Sequence, residues 1–368
     1  MRLRAGLIVL AFLTIAATVF VLLVPRWHWP VPSTQVSLLG PSMVQFAPTP
    51  QLLTAPNVAP PPQPPVPQVG PDAAAVYQNV RVLRDVKATE FIRLMVAMTN
   101  WIAPKEGCGF CHEAGNFASD KKPQKQVARV MLNMTRHINA SWQIHVNSAG
   151  AGGVTCYTCH RGQPIPSDVY FPSPPHPQRP FIEKQNDWNE SEVTVLGFFP
   201  RDSWSDYLVN ESPALSQSYT ALPTGQVTSY IVTQRVYEFM IQLSNGMGVN
   251  CGFCHNSRAF FDWNQSTPYR WTAYYGIRMA RDLNRNFLIP AANVMPLERI
   301  VPGAPREPMV PAYDEGPHAG NALVVCGTCH HGVPLPLNGA NLVRDYPELL
   351  GPDETAGVPS PMPPSINP

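Results

Sequence analysis

Cys108-Gly-Phe-Cys111-His112 is the first of four copies of one short pattern in this chain. The other copies, which follow in chain order as motifs 2 to 4, are Cys156-Tyr-Thr-Cys159-His160, Cys251-Gly-Phe-Cys254-His255 and Cys326-Gly-Thr-Cys329-His330. Two cysteines three positions apart can form thioethers with the two vinyl groups of one haem, and the next histidine can ligate its iron. The pattern therefore predicts four covalently bound haem c groups.

The four motifs use all eight cysteines of the chain. Zinc sites and redox-active dithiols also use cysteine pairs, but neither requires a histidine directly after the second cysteine. Four such histidines favour haem attachment at every motif. We therefore expect His112, His160, His255 and His330 to be the proximal ligands of the four irons.

Composition points to a loop-rich protein. The chain has 368 residues, with only 14% charged residues and 43 prolines. Bound haems supply apolar surface that side chains otherwise provide, so such a chain can still build a core. The formal net charge of +1 argues against a nucleic-acid partner. We predict a mainly α fold with much irregular loop.

The N-terminus predicts a membrane anchor. Residues 5–24 are uncharged and mostly apolar, with Arg2 and Arg4 before them and Trp27 and Trp29 after them. Positive charge before a span places the N-terminus in the cytoplasm, and tryptophan favours the opposite interface. A cleaved signal peptide is the alternative, but its apolar region is usually about 7–15 residues long. We expect one transmembrane helix in the inner membrane and a periplasmic haem domain.

The spacing of the motifs predicts a duplication. Motifs 1 and 2 lie close together in the sequence, as do motifs 3 and 4, with a longer stretch between the pairs. This arrangement suggests two pseudo-repeated two-haem units. The predicted segments are an anchor (1–25), a Pro-rich linker (26–75), a first two-haem segment (76–165), a connecting segment (166–224), a second two-haem segment (225–335) and a Pro-rich C-terminal tail (336–368).

Helical periodicity before each motif offers a second axial ligand. A low-spin electron-transfer haem needs a ligand opposite its histidine, usually methionine or histidine. The apolar stripes of the predicted helices carry Met95 or Met98, Met131 or Met134, Met240, and Met279. A methionine on such a stripe can equally be a packing residue. His145 follows Met131 by almost four helical turns, so one continuous helix could carry both on one face.

Longer stretches around the motifs resemble the tetrahaem cytochrome subunit of bacterial type II photosynthetic reaction centres. They are Phe91-Ile-Arg-Leu-Met95, Pro104-Lys-Glu-Gly-Cys108 to His112, Ala128-Arg-Val-Met131-Leu-Asn-Met134-Thr-Arg136, Val154-Thr-Cys156 to Gly162, Gly248-Val-Asn-Cys251-Gly-Phe-Cys254-His-Asn256 and Tyr275-Gly-Ile-Arg-Met279-Ala-Arg-Asp282. The resemblance covers roughly residues 76–335. It is far more specific than the four short motifs alone.

The resemblance implies one set of axial ligands. The family pattern places methionine at positions that match Met95, Met131 and Met240 for the first three haems. Its fourth haem has two histidine ligands, and the distal one matches His145, which leaves Met279 as a packing residue. His331 directly follows a proximal ligand and could compete, although adjacent side chains point apart.

The resemblance also implies a function. Such a subunit re-reduces the photo-oxidised bacteriochlorophyll pair held by the L and M type subunits. Its electrons come from a soluble periplasmic donor, which is a small cytochrome c, a high-potential iron-sulfur protein or a blue-copper protein. The third haem lies nearest the pigment pair, followed by the fourth, the second and the first. The light-harvesting antenna is a further expected neighbour, and Arg270 and Arg278 are candidates for tuning the third haem.

Two other functions fit a tetrahaem protein less well. A membrane-anchored quinol-oxidising cytochrome is usually bis-histidine, whereas here a methionine stands on every helix. A haem enzyme needs an iron with an open coordination position. Because each iron has a candidate sixth ligand, we expect an electron carrier rather than an enzyme.

Overall fold

The computed structural model describes residues 57–170, 204–214, 230–291 and 322–351, with residues 6 and 11–18 and the backbone of two short strands. Those strands, β1 (Ser33–Val36) and β2 (Gln45–Pro48), form an antiparallel pair. The predicted anchor lies mostly outside the described residues. Within the described part of the chain, no helix combines the length and apolar character that crossing a bilayer needs.

Helices and loops dominate the described chain, as predicted. The helices are α1 (Ala73–Val76), α2 (Ala88–Ile102), α3 (Pro123–Ser141), α4 (Gln143–Val146), α5 (Cys156–His160), α6 (Tyr230–Met247), α7 (Cys251–Cys254), α8 (Tyr269–Leu283), α9 (Ile289–Ala291) and α10 (Cys326–His330). A π-helical turn, Asn284–Leu288, links α8 to α9, and another spans Ser205–Val209. The remaining strands, β3 (Val169–Tyr170) and β4 (Leu323–Val324), pair antiparallel in front of motif 4.

Proline and apolar spacing explain where the long helices form. Pro123 occupies the first turn of α3, where its missing N–H costs no helical hydrogen bond. Pro268 is the N-cap residue of α8, directly before its first turn. The face of α2 that carries Leu94, Met98 and Trp101 is buried, as expected for residues three and four positions apart.

Three clusters of buried side chains form the core. Cluster 1 joins α2 to the residues around Tyr346, cluster 2 joins α3 to α8, and cluster 3 joins α6 to the turn at Ser205–Val209. Cys156 of motif 2 lies in cluster 1, and Cys326 of motif 4 packs against cluster 3. Motifs 2 and 4 are therefore built into the core.

Two parts of the structure add detail that the sequence left open. The helix that carries Met131 ends at Ser141, where Trp142 leaves helical geometry, and His145 lies in the separate helix α4. The segment 336–351, placed in the predicted tail, packs into the core through Val343, Tyr346 and Leu349. Buried apolar side chains within that Pro-rich sequence account for this docking.

Candidate haem-binding site

All four motif histidines are held in the same protonation pattern. The Nδ1 atom of each lies at hydrogen-bonding distance from a backbone carbonyl: 3.1 Å for His112 to Phe117, 2.9 Å for His160 to Gln163, 2.8 Å for His255 to Phe260 and 2.9 Å for His330 to Val333. A carbonyl only accepts, so Nδ1 must carry the hydrogen and donate it. This leaves the Nε2 lone pair of every motif histidine available for a metal.

Burial keeps these imidazoles neutral. It lowers the pKa of His112, His160 and His255 and lowers the pKa of His330 to about 4. The nearby ring of His145 lowers the pKa of His330 further. A neutral imidazole is the form that ligates iron, so the electrostatics suit the predicted role.

The motifs fall into two structural types. In motifs 1 and 3 the histidine bonds the carbonyl five residues later and lies against that residue's ring, Phe117 at 4.9 Å and Phe260 at 5.4 Å between centroids. In motifs 2 and 4 the histidine bonds the carbonyl three residues later. The residue after that histidine, Arg161 or His331, adopts the left-handed conformation with φ of 49°.

Motifs 2 and 4 contact each other reciprocally. Arg161 after motif 2 donates from Nη2 to the carbonyl of Cys329 at 3.2 Å. His331 after motif 4 donates from Nε2 to the carbonyl of Cys159, also at 3.2 Å. Each motif is thus held by the residue that follows the other one.

The second cysteines of these two motifs meet at the centre of this contact. Cys159 and Cys329 are joined by a disulfide, with their Cα atoms 4.4 Å apart. A sulfur in a disulfide has no thiol with which to form a thioether, so haem attachment at these two positions requires the reduced pair. Attachment there stays a prediction.

Motifs 2 and 4 also dock on equivalent helices. The N–H of Gly162 after motif 2 donates to the carbonyl of Trp101 in α2 at 2.8 Å. The N–H of Gly332 after motif 4 donates to the carbonyl of Gly246 in α6 at 2.9 Å. Because α2 precedes motif 1 and α6 precedes motif 3, motif 2 lies beside motif 1 and motif 4 lies beside motif 3.

The methionines separate into two groups by burial. Met98, Met134 and Met279 are 7%, 9% and 9% exposed and belong to the core clusters. The predicted ligands Met95, Met131 and Met240 are only half-buried and lie at the edges of those clusters. A methionine that ligates a haem needs part of its surface for that haem, and half-buried side chains leave such surface, while the ligand set itself stays a prediction.

His145 and His330 are placed to share one metal. Their ring centroids are 6.2 Å apart. A metal–imidazole bond is about 2 Å long, so two imidazoles on opposite sides of one metal have ring centres roughly 6 Å apart. His145 donates from Nδ1 to the carbonyl of Thr272 at 2.8 Å, which leaves its Nε2 lone pair for the metal. The residues present therefore fit a bis-histidine haem.

His331 is engaged elsewhere. Besides its bond to Cys159, its Nδ1 lies 3.3 Å from the hydroxyl of Ser167 and 3.7 Å from the carboxylate of Asp168. Both ring nitrogens thus already have protein partners. Met279 is buried in cluster 2, so neither alternative fits the fourth iron as well as His145 does.

Known proteins match this chain closely. A family model described as the photosynthetic reaction centre cytochrome C subunit matches residues 30–350. The photosynthetic reaction center cytochrome c subunit of Rubrivivax gelatinosus is 39% identical over 343 residues, which cover 92% of this chain and 88% of that protein. The chain belongs to the reaction centre cytochrome c subunit family.

Two further relatives carry the same name. The protein of Thermochromatium tepidum is 40% identical over 281 residues, which cover 76% of this chain and 65% of that protein. The protein of Roseobacter denitrificans is 36% identical over 322 residues, which cover 84% of this chain and 81% of that protein. Membership of this cytochrome c family confirms the predicted class of cofactor, covalently bound haem c, and an electron carrier rather than a classical enzyme.

The thiols of this reaction centre cytochrome do not suit dithiol redox chemistry. Burial raises the pKa of Cys111 and Cys254 to about 11 and that of Cys156 and Cys326 to about 12. Redox dithiols depend on a lowered thiol pKa. Among the described residues, no three His, Cys, Asp or Glu side chains gather into a metal site.

One supporting residue was not predicted. Asp282 of α8 accepts from Trp142 Nε1 at 2.8 Å and from His137 Nε2 at 2.6 Å, both on the segment that leads to His145. In the sequence, Asp282 is marked only by its place at the end of the stretch Tyr275 to Asp282, and there it is typical of a charged residue on a helix surface.

The two arginines considered as tuners lie on α8 near motif 3. The guanidinium of Arg270 stacks 3.9 Å from the centroid of Trp263, and its charge contributes to the lowered pKa of His255. Arg278 donates to the hydroxyl of Tyr274 at 3.2 Å. Only Arg270 is shown to act electrostatically on motif 3.

Proposed function

We propose that this chain re-reduces the photo-oxidised bacteriochlorophyll pair of a photosynthetic reaction centre, with electrons from a soluble periplasmic donor. Family membership supports this function, since the relatives are named as photosynthetic reaction center cytochrome c subunits. The observation that carries it at the level of side chains is the pairing of His145 with His330 across 6.2 Å.

Four haem c groups are the proposed cofactors, one at each motif. Bound haem supplies a reversible one-electron couple at its iron. The chain contributes four Nε2 lone pairs from the motif histidines and opposes them with Met95, Met131, Met240 and His145. An iron held on both sides has no open position for a substrate, which suits electron transfer rather than catalysis.

The chain is proposed to contain two pseudo-repeated two-haem units. Matched hydrogen bonds support this duplication: Gly162 to Trp101 corresponds to Gly332 to Gly246, and Arg161 to Cys329 corresponds to His331 to Cys159. Thr158 and Thr328 likewise accept from the backbone N–H three residues earlier at 3.0 Å and 2.9 Å.

The same contacts support a linear order of haem sites. Motif 1 neighbours motif 2, motif 2 neighbours motif 4, and motif 4 neighbours motif 3. Sites 1 and 3 are then the two ends of a row, which agrees with the order implied by the family resemblance. In this proposal, site 3 faces the pigment pair and site 1 faces the soluble donor.

The proposed partners are L and M type subunits at one end and a small soluble carrier at the other. The carrier is a cytochrome c, a high-potential iron-sulfur protein or a blue-copper protein. The proposed location is the periplasmic face of the inner membrane, with residues 5–24 as a single-pass anchor and the antenna nearby.

Flash spectroscopy on membranes that contain this chain tests the function. After a saturating flash, haem oxidation should follow pigment oxidation, and the chain should co-purify with the reaction centre. A quinol-oxidising cytochrome would instead be reduced by added quinol in the dark, without co-purifying pigment. That outcome, or haems that a flash leaves reduced, would overturn the proposal.

A further inference from the structure

Gly276 lies in the interior of α8, where glycine lowers helix stability relative to alanine. Its backbone does not explain its presence, because it is absent from the described residues with positive φ. Space explains it. A Cβ atom at this position would lie 2.5 Å from Cε1, 3.0 Å from Nδ1 and 3.1 Å from Nε2 of His145. The imidazole therefore occupies the notch that the missing side chain leaves.

The floor of this notch is the carbonyl of Thr272. It lies one helical turn before Gly276, and it accepts the Nδ1 hydrogen of His145 at 2.8 Å. One turn of α8 thus fixes two properties of the ring. The hydrogen bond sets which nitrogen carries the proton, and the notch sets how closely the ring can approach the helix.

The same helix also anchors the chain just before His145. Asp282 accepts from Trp142, three residues ahead of His145, and from His137 at the end of α3. These bonds hold the approach to α4 against α8. The ring of His145 therefore cannot retreat freely from α8 if the notch is filled.

We propose that Gly276 is a positioning residue for the distal ligand of the fourth haem, and that the Thr272–Gly276 turn presents Nε2 of His145 opposite His330. This inference rests on the proposed role of His145. A filled notch moves the ring, so that the 6.2 Å separation of the two imidazoles, and with it axial ligation, is lost.

The test uses the full haem-loaded chain with three variants: Gly276→Ala, His145→Ala and the double variant. Gly276→Ala should lose the low-spin bis-imidazole signal of one haem of four, raise the potential of that haem and let it bind carbon monoxide. The other three haems should keep their spectra. If Gly276 had no role beyond its place in the helix, Gly276→Ala should instead give a more stable protein with an unchanged spectrum.

A rescue arm covers the case in which Gly276→Ala simply folds poorly. In His145→Ala, added imidazole should restore the low-spin signal by binding in the notch. In the double variant, where no clash with His145 exists, imidazole should bind at least about tenfold more weakly, since the alanine methyl fills the space.

The outcomes separate the two hypotheses. If His145→Ala leaves all four haems low-spin with unchanged potentials, His145 is not the ligand and the proposed site assignment fails. If His145→Ala removes the signal while Gly276→Ala keeps the wild-type spectrum and potentials, and imidazole binds both His145→Ala backgrounds equally, the positioning role is wrong.

Discussion

The inner pair of motifs, 2 and 4, and the outer pair, 1 and 3, use the same five-residue pattern in different surroundings. Cys156 is buried and Cys326 half-buried, whereas Cys108 and Cys251, the first cysteines of the outer motifs, are exposed. The inner motifs bond each other and the core through backbone carbonyls, which accept from Arg161, His331, Gly162 and Gly332. The outer motifs use loops whose acceptor carbonyls lie near solvent.

This difference suits the proposed row of haem sites, in which motifs 1 and 3 are the ends. A site that exchanges electrons with partner proteins must reach the surface, whereas a site in the middle only needs its neighbours. In that order, motifs 2 and 4 with their reciprocal contacts form the centre, and the exposed first cysteines Cys108 and Cys251 belong to the ends. The four predictions below test this contrast, from the largest expected effect to the smallest.

The close docking of motif 4 on the end of α6 should be the contact most sensitive to substitution. A Cβ at Gly248, where φ is 63°, would overlap the carbonyl oxygen of Gly332. Gly248→Ala should therefore lower the free energy of unfolding by about 3 kcal/mol or more, measured by denaturant titration.

Gly115→Ala is the matched control. Gly115 lies in the loop that follows motif 1 and also has a positive φ, 77°, but nothing lies within 4 Å of an added Cβ. It should cost only the backbone strain, about 1 kcal/mol. Equal costs at the two positions would show that the inner docking is not tight.

Replacing the proposed methionine ligand at motif 3 should change the reduction potential of that haem and of no other. Met240→His should lower the potential of the third haem by about 100 mV or more, because imidazole stabilises oxidised iron more than a thioether does. Such a shift corresponds to about 2.3 kcal/mol for one electron. Redox titration measures it, with Met279→Leu, a change to a buried core methionine, as the control that leaves every potential unchanged.

The reciprocal contact between the inner motifs should contribute a smaller stability. Arg161→Ala removes the donor to Cys329 and a cation–π contact with Tyr157 at 5.3 Å, at a cost of about 1–2 kcal/mol. His331→Ala should cost a similar amount through its bond to Cys159. Thermal unfolding at low and high salt should give the same difference, and a strong salt dependence would contradict the contact as described.

The ion pairs of Asp120, in the loop that follows motif 1, should contribute least to stability, and their contribution should depend on salt and pH. Hydrogen bonds, chiefly the one from Arg129, lower the pKa of Asp120. Lys125 pairs with Asp120 and also donates to the carbonyl of Phe117, the same carbonyl that His112 contacts. A carboxylate with a lowered pKa in the folded state adds stability above its unfolded pKa, about 3.9, and loses it as pH falls further.

Asp120→Asn should therefore cost roughly 1 kcal/mol or less at neutral pH and low salt and nothing at high salt, and the cost should shrink steadily as pH falls below about 3.9. The Arg161→Ala difference, measured in the same buffers, is the control without salt dependence. If Asp120→Asn lowers the free energy of unfolding equally at high salt, the contacts after motif 1 do not differ from those between motifs 2 and 4 in the way described.

Much of this organisation could be predicted from the sequence, because haem attachment depends on covalent spacing. The four motifs, the pre-motif helices and the mainly helical class follow from local pattern alone. The choice of Met95 over Met98 needed family resemblance, since both lie on one apolar stripe. The structure shows Met98 buried and Met95 half-buried, a difference that depends on contacts distant in sequence, and the ligand choice stays a prediction.

Other features could not be predicted because they join distant segments. Nothing local marks Gly276 as the neighbour of His145, or Arg161 as the donor to Cys329. Whether one helix runs through Met131 and His145 was open from the sequence, and the structure shows two helices, because Trp142 leaves helical geometry and its indole N–H donates to Asp282. The anchor at residues 5–24 and the segment boundaries stay predictions.

Arg93 joins both ends of the sequence. Its guanidinium bonds the carbonyls of Gln63 at 3.0 Å and Asp345 at 2.7 Å, pairs with Glu90 and stacks 4.4 Å from the ring of Tyr346. Asp345 is synthesised 252 residues after Arg93, which at about 5–20 residues per second takes roughly tens of seconds. Cluster 1, which contains Tyr346, therefore cannot be complete until those late residues have been synthesised, and Cys156 in the same cluster lacks its full packing during that interval.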